Sequence, residues 1–366
     1  MADMVRAVVQ TGPRQMEMRE YPRPVIGPDD GALLRVEACG ICGSDVEQYK
    51  GAMGTRGLPM IPGHEPLGII EEISESASRR WGVSAGDRVA VEILIPCRSC
   101  DRCLAGRYMN CKNRIGSHGG FNPPERANVL SGGYAEYMHL HPNSIVHPIR
   151  NDIPAEIAVM YNPLGAGVRW ALEYGGVHLG SSVLVLGAGQ RGLAAVLASR
   201  DVGAGLIIAT GLSRDAKKLE LAREFGADHV INVEEEDTVA RVRELTGGDG
   251  VAAVYDGVGA STFDASLASL RLRGTLALFG ASSGRVPPVD PQRLNAAGSV
   301  FLTRPTLVHH TRTPDEFGWR AGELLDAIAK GTIEITVSNR YPLADAGDAH
   351  RDLQGRKTVG SVVLVP

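Results

Sequence analysis

VLVLGAGQRGL, residues 183–193, joins an apolar run to a Gly187-x-Gly189-x-x-Gly192 turn and the first residues of a helical pattern. Residues 183–186 show no polar alternation, as expected of a parallel strand buried on both faces. Leu193, Val196, Leu197 and Arg200 then recur at helical spacing. Gly187 allows the tight turn out of the strand, Gly189 lets backbone approach a pyrophosphate, and Gly192 lets the helix pack close to the sheet. The helix N-terminus adds unpaired N–H groups and a positive dipole end, with Gln190 and Arg191 in the turn beside the phosphates. An incidental glycine-rich turn is the plain alternative.

The pattern that follows supports the dinucleotide reading. Apolar runs at 206–210, 229–233, 252–255, 275–279 and 300–303 alternate with helical patterns such as 216–225 and 238–245. With 183–186 they make six strands of a doubly wound parallel sheet, so this part of the chain is α/β. Cofactor choice turns on the end of the second strand, where an acidic residue would meet the ribose 2′-hydroxyl of NAD. Gly211 stands there, followed by Ser213, Arg214 and Asp215, with Lys217 and Lys218 next. The missing carboxylate and nearby Arg214 favour NADP(H) over NAD(H). Asp215 takes the ribose role if the turn is longer, and a solvated helical turn accounts for the cations equally simply. Gly259 and Gly280 end later strands; they either lie near the nicotinamide or serve turns.

Ahead of this region, residues 4–160 read as β-rich, with candidate strands at 5–9, 32–38, 68–73, 88–95 and 134–140. The loops between them carry the unusual residues. Cys39-x-x-Cys42 precedes Ser44, and His64-Glu65 follows some way on. A thiolate and an imidazole from separate loops suit part of a zinc site with an open position. A redox pair, two core cysteines and a hydrogen-bonded loop histidine remain alternatives. Cys97, Cys100, Cys103 and Cys111 form C-x2-C-x2-C-x7-C in a polar loop. Four thiolates complete a tetrahedral zinc with no open position, hence a structural ion; an iron–sulfur cluster or four free thiols compete.

The 366 residues are enough for two domains, and 43% hydrophobic with 22% charged residues is ordinary for a globular chain. A net charge of −4 gives no reason to expect nucleic acid or an anionic membrane as partner. No apolar run is long enough to span a bilayer, and MADMVRAVVQ lacks a secretory core, so a cytoplasmic location is expected. The six cysteines then read as thiols or metal ligands.

On GICGSD at 40–45, GHE at 63–65, the four-cysteine loop and the glycine turn, the chain resembles the medium-chain, zinc-dependent alcohol dehydrogenases over nearly its whole length. The resemblance implies a Rossmann domain at 161–310 and a β-rich GroES-like catalytic domain at 1–160 and 311–366, with the tail returning to the first domain. It implies two zinc ions per chain: a catalytic ion on Cys42 and His64, and a structural ion on the cysteine loop. Cys39 becomes a neighbour, and Ser44 the hydroxyl that hydrogen-bonds the substrate alcohol. Two positions depart from the pattern. Glu47 stands where many relatives have the outer histidine of the proton relay, and as a carboxylate it can still accept a proton there, though at a different pKa. Asn162, ahead of Pro163-Leu164, stands where polyol-type relatives have a glutamate, so Glu65 becomes the first choice for third ligand. An amide is a poor zinc donor, and Asn162 also suits a helix N-cap before proline. From 229 to about 311, and most of all over 284–307, the chain is also similar to the zinc-free NADPH-dependent quinone reductases of the same superfamily.

These readings lead to an enzyme that moves a hydride between an alcohol carbon and nicotinamide C4, on a small-molecule substrate held in the cleft between domains, in a homodimer or homotetramer. The rivals are a quinone or enone reductase keeping only the structural zinc, and a dinucleotide-binding sensor without turnover. A helix at 316–330, a strand at 334–337, a helix near 344–353 and a final strand at 360–365 close the chain; His309 and His310 read as a surface pair, with reach into the cleft as the alternative.

Overall fold

The computed structural model describes residues 3–55, 57–120, 130–161, 175–305, 339–355, 357–358 and 361–366, with Gly322, Leu325, Asp326, Ala329 and Lys330. Two compact units divide the chain: Met1–Asn162, Thr311–Gly318 and Val337–Pro366 form the first, Pro163–His310 and Trp319–Thr336 the second.

In the first unit, β1 (Met4–Gly12) and β2 (Gln15–Pro22) pair as an antiparallel hairpin. The second arm was not expected, because its charged residues stay exposed or half-buried on both faces and leave no apolar alternation. β3 (Ala32–Gly40) is buried on both faces and pairs antiparallel with β4 (Glu65–Ile73). Helix α1 (Gly43–Tyr49) lies between them in sequence. The single strand expected at 88–95 is two, β5 (Arg88–Val91) and β6 (Leu94–Ile95). They part where Glu92 turns its carboxylate inward to the Tyr108 hydroxyl (2.7 Å) and His147 Nε2 (2.6 Å). β7 (Gly116–Ser117) pairs with β6, and β8 (Tyr137–Leu140) and β9 (Val146–Pro148) complete the run.

The second unit is a six-stranded parallel sheet of β10 (Ser182–Leu186), β11 (Leu206–Gly211), β12 (His229–Asn232), β13 (Val251–Asp256), β14 (Leu270–Leu278) and β15 (Phe301–Thr303). Its order is β12-β11-β10-β13-β14-β15. The order reverses at β10, and that switch point is where such sheets bind dinucleotides. α2 (Gln190–Asp201), α3 (Ala216–Glu224), α4 (Thr238–Leu245) and α5 (Phe263–Ser269) connect the strands. β10 and β13 are almost wholly buried, and Leu184, Leu186, Ile208, Val254 and Leu276 meet in one core.

β16 (Asn339–Pro342) and β17 (Val362–Val365) return to the first unit, giving a seven-stranded sheet ordered β16-β17-β3-β4-β5-β9 with β8 also on β3. Helix Ala346–Gln354 lies between them. The fold is therefore α/β, a Rossmann sheet with a β-rich unit. Asn162, His309, His310, the strand expected at 334–337 and most of the helix expected at 316–330 lie outside the described residues.

Candidate active site

Strand register brings the first constellation together. β3 and β4 pair Gly40 with Glu65, so Cys42, two residues past the pair, and His64, one residue before it, fall at the same end of the sheet. The C-terminal strand holds this end in place: Ile41 N–H donates to the Val362 carbonyl (2.9 Å), and Leu364 pairs with Cys39. On the other side, Gly133 N–H donates to the Gly63 carbonyl (2.8 Å). Donor atoms of Cys42, His64 and Glu65 then lie within 4.8 Å of one another, all three residues buried.

Asp45 organises the cluster, and sequence reasoning passed over it. It is the N3 residue of α1, whose N-cap is Cys42. One carboxylate oxygen accepts from the Cys42 N–H (2.9 Å), and the other faces His64 Nδ1 (2.9 Å). An acidic N3 residue is half of a helix-capping signature, which was the available signal. A carboxylate on Nδ1 is the usual support of a metal-ligating histidine, holding the proton there so that Nε2 can give its lone pair to an ion. Burial disfavours a charged imidazole, but Asp45 and then Cys42 outweigh it, and His64 stands well above the ordinary imidazole value. The cluster thus attracts positive charge, as sulfur, imidazole and carboxylate donors for zinc should.

Ser44 Oγ lies 3.4 Å from His64 Nε2. Glu47 is exposed and pairs with Lys50 (2.7 Å). Cys39 stays in the core, its thiol pushed up by burial, and is not among the clustered donors. A further buried pair, Tyr134 hydroxyl to His350 Nε2 (2.9 Å), packs beneath α1, with the His350 ring 4.9 Å from Tyr49.

The other donor set is Cys97, Cys100, Cys103 and Cys111. Sulfurs about 2.3 Å from one zinc stand about 3.8 Å apart along the edges of a tetrahedron. Here Cys97–Cys103 is 3.9 Å, Cys100–Cys103 3.6 Å and Cys100–Cys111 3.9 Å. Backbone N–H groups of Cys100 and Cys97 donate to Cys97 Sγ (3.3 Å) and Cys111 Sγ (3.2 Å). Hydrogen bonds from Ser99 pull Cys97 down to about 6, while desolvation pushes Cys103 up to about 12.

In the second unit, Gly187 has φ +92 and Gly189 caps α2. A Cβ on Gly192 would stand 2.1 Å from the Gly187 carbonyl oxygen, whereas one on Gly189 would meet nothing within 4 Å. The turn is closed beneath and open above, as a pyrophosphate needs. Asp256 ends β13 fully buried and ties the next turn down, accepting from Val258 N–H (2.7 Å), Gly259 N–H (2.9 Å) and the Thr262 and Ser266 hydroxyls (both 2.8 Å). Gly280 has a packing reason, since its Cβ would lie 2.1 Å from the Gly257 carbonyl, and Gly259 has φ +96. Partial desolvation and then the nearby Arg191 lower Arg304, which puts one cation in the first turn of α2 near another just past β15, a pair that favours an anion. After Gly211, Asp215 accepts from Leu212 N–H (3.3 Å) and Lys218 (2.8 Å), and Arg214 is exposed.

Such a dinucleotide sheet, together with a buried sulfur–imidazole–carboxylate cluster on a β-rich unit, defines a nicotinamide-linked oxidoreductase. Residues 28–151 match the alcohol dehydrogenase GroES-like domain and residues 192–317 the zinc-binding dehydrogenase domain. A probable alcohol dehydrogenase of Mycobacterium tuberculosis is 40% identical over 347 residues, 93% of this chain and 89% of that one. Two mycobacterial structures, one a complex with NADPH and one described as a quinone oxidoreductase, are each 41% identical over 99% of this chain and 100% of theirs, with TM-scores of 0.78 and 0.77. The chain belongs to the medium-chain alcohol dehydrogenase superfamily and is an oxidoreductase of that class. Among the described residues, no helix is long and apolar enough to cross a membrane.

Proposed function

We propose that the protein is a zinc-dependent, NADP(H)-preferring oxidoreductase that interconverts an alcohol and a carbonyl. The buried Cys42–His64–Glu65 cluster, with Ser44 against His64, carries this reading. Cys42 and His64 hold the catalytic ion with Glu65 as third donor, and the four cysteines hold a structural one. When bound, zinc supplies Lewis acidity to a substrate oxygen and the nicotinamide supplies or accepts the hydride. The chain's own part is to bind and orient. Asp45 fixes the His64 tautomer, and Ser44 Oγ stands where a hydroxyl can accept and pass on the proton of a substrate alcohol. The turn from Gly187 to Gly192 seats the pyrophosphate. With no carboxylate at Gly211, Arg214 beside Ser213 supplies charge for a 2′-phosphate, and the NADPH complex of the 41% identical structure supports that preference.

A second reading, a quinone or enone reductase keeping only the four-cysteine zinc, is favoured by the likeness to the mycobacterial quinone oxidoreductase. Zinc content and a substrate screen separate the two. The first reading expects two zinc ions per chain, with Cys42→Ala losing one of them and all alcohol oxidation. One zinc in the dialysed protein, with full enone reduction by the Cys42→Ala variant, would establish the second.

A further inference from the structure

The turn that follows β11 already holds an anion of the protein's own. Glu234, in the loop between β12 and α4, accepts a hydrogen bond from Ser213 N–H through Oε2 (2.7 Å). Its loop is fixed beside that turn, because Asn232 Oδ1 accepts from Glu234 N–H (3.2 Å) and Asn232 Nδ2 donates to Ser213 Oγ (2.9 Å). The carboxylate is exposed, is held below the usual range first by Ser213 and also by Arg214, and stays charged at neutral pH. A side chain at Gly211 would press on its neighbours, since a Cβ there would stand 3.1 Å from Leu219 and 3.3 Å from Asp215. Asp215 is committed to Leu212 N–H and Lys218. Glu234 therefore occupies, from a different loop, the amide next to Arg214, the cation suited to a 2′-phosphate at the end of this strand.

We propose that Glu234 is a cofactor-selectivity residue, a built-in competitor for the donor that a 2′-phosphate uses. The proposal rests on the dinucleotide site placed at the β11 turn. The single Ser213 N–H donates to one anion at a time, so a 2′-phosphate that takes it must displace the carboxylate and bear its repulsion. A 2′-hydroxyl can instead donate to that carboxylate. Glu234 thereby narrows the gap between NADP(H) and NAD(H) that Arg214 opens.

The test is calorimetric binding of 2′,5′-ADP and of 5′-AMP to the wild type and to Glu234→Gln at two salt concentrations. The variant keeps an acceptor and loses the charge. It should bind 2′,5′-ADP about tenfold more tightly at low salt, with the gain shrinking as salt rises, and 5′-AMP no more tightly. Unchanged or weaker 2′,5′-ADP binding overturns the proposal. So does a parallel weakening of both ligands, which would make Glu234 a brace of the turn. The wild-type ratio of the two ligands tests the NADP(H) preference separately: a wild type that prefers 5′-AMP refutes that preference, while the effect of Glu234→Gln still decides the role of Glu234.

Discussion

Replacing Asp45 by asparagine tests the metal reading without touching a proposed ligand. The side chain is 1% exposed and has two jobs as an acceptor, one from Cys42 N–H and one toward His64 Nδ1, both at 2.9 Å. Asparagine has one acceptor oxygen and one NH2. If the oxygen stays on Cys42 N–H, the NH2 faces Nδ1 and drives the imidazole proton to Nε2, the atom needed for metal. If the oxygen turns to His64, two donors face each other at the helix cap, at a cost of about 1 kcal/mol. Supporting residues of this kind typically contribute 10–100-fold to metal affinity, or about 1.4–2.7 kcal/mol. Chelator competition, monitored as zinc released per chain, measures the effect. One zinc equivalent should be released at ten- to hundredfold lower chelator, about the range above, while the equivalent on the four cysteines holds as an internal reference. Asp45→Asn protein that yields both equivalents at wild-type chelator concentrations would refute the reasoning.

Other expectations follow from single distances and shifts. Gly192→Ala places a Cβ against the Gly187 carbonyl and should cost about 1–3 kcal/mol of stability. Gly189→Ala meets only open space, so it should melt like the wild type yet lose NADPH affinity; unimpaired binding would show that no phosphate lies over Gly189. Cys100→Ser should remove one zinc and lower the melting temperature, whereas full zinc content with an unchanged melt would mean the four thiols hold no ion. His350 is pushed down to about 4, first by burial, so the native protein holds it neutral while the unfolded chain protonates it below about 6.5. Stability should therefore fall as pH drops from about 6.5 toward 4, by on the order of 3 kcal/mol from this residue. Denaturation of wild type and His350→Gln across that range checks it, and equal slopes would sink the assignment.

Much of the fold was legible because its signals are local. The run into Gly187, the apolar strands after it and the cysteine spacing each depend on neighbours within about a dozen residues. Elements whose pattern depends on remote partners were not legible. β2 is a polar strand held by β1, and the break at Glu92 exists because Tyr108 and His147 come from elsewhere to meet it. The cysteine loop could be picked out by spacing, whereas Cys42, His64 and Glu65 were picked out by their resemblance to the GICGSD and GHE motifs. Asp45 was missed because a carboxylate on a short helix reads as a solvated cap until His64 is brought against it.

The chain's order of residues was sufficient for the α/β class, the glycine turn and the four-cysteine spacing, since strand burial, tight turns and thiol spacing are properties of short segments. Only the tertiary structure decided that β3–β4 register sets Cys42 beside His64 and Glu65, that Asp45 joins both, and that Glu234 reaches the Ser213 amide. The Asp45–His64 and Ser213–Glu234 contacts join residues 19 and 21 positions apart, and no local pattern says which side chains a folded sheet will turn toward each other.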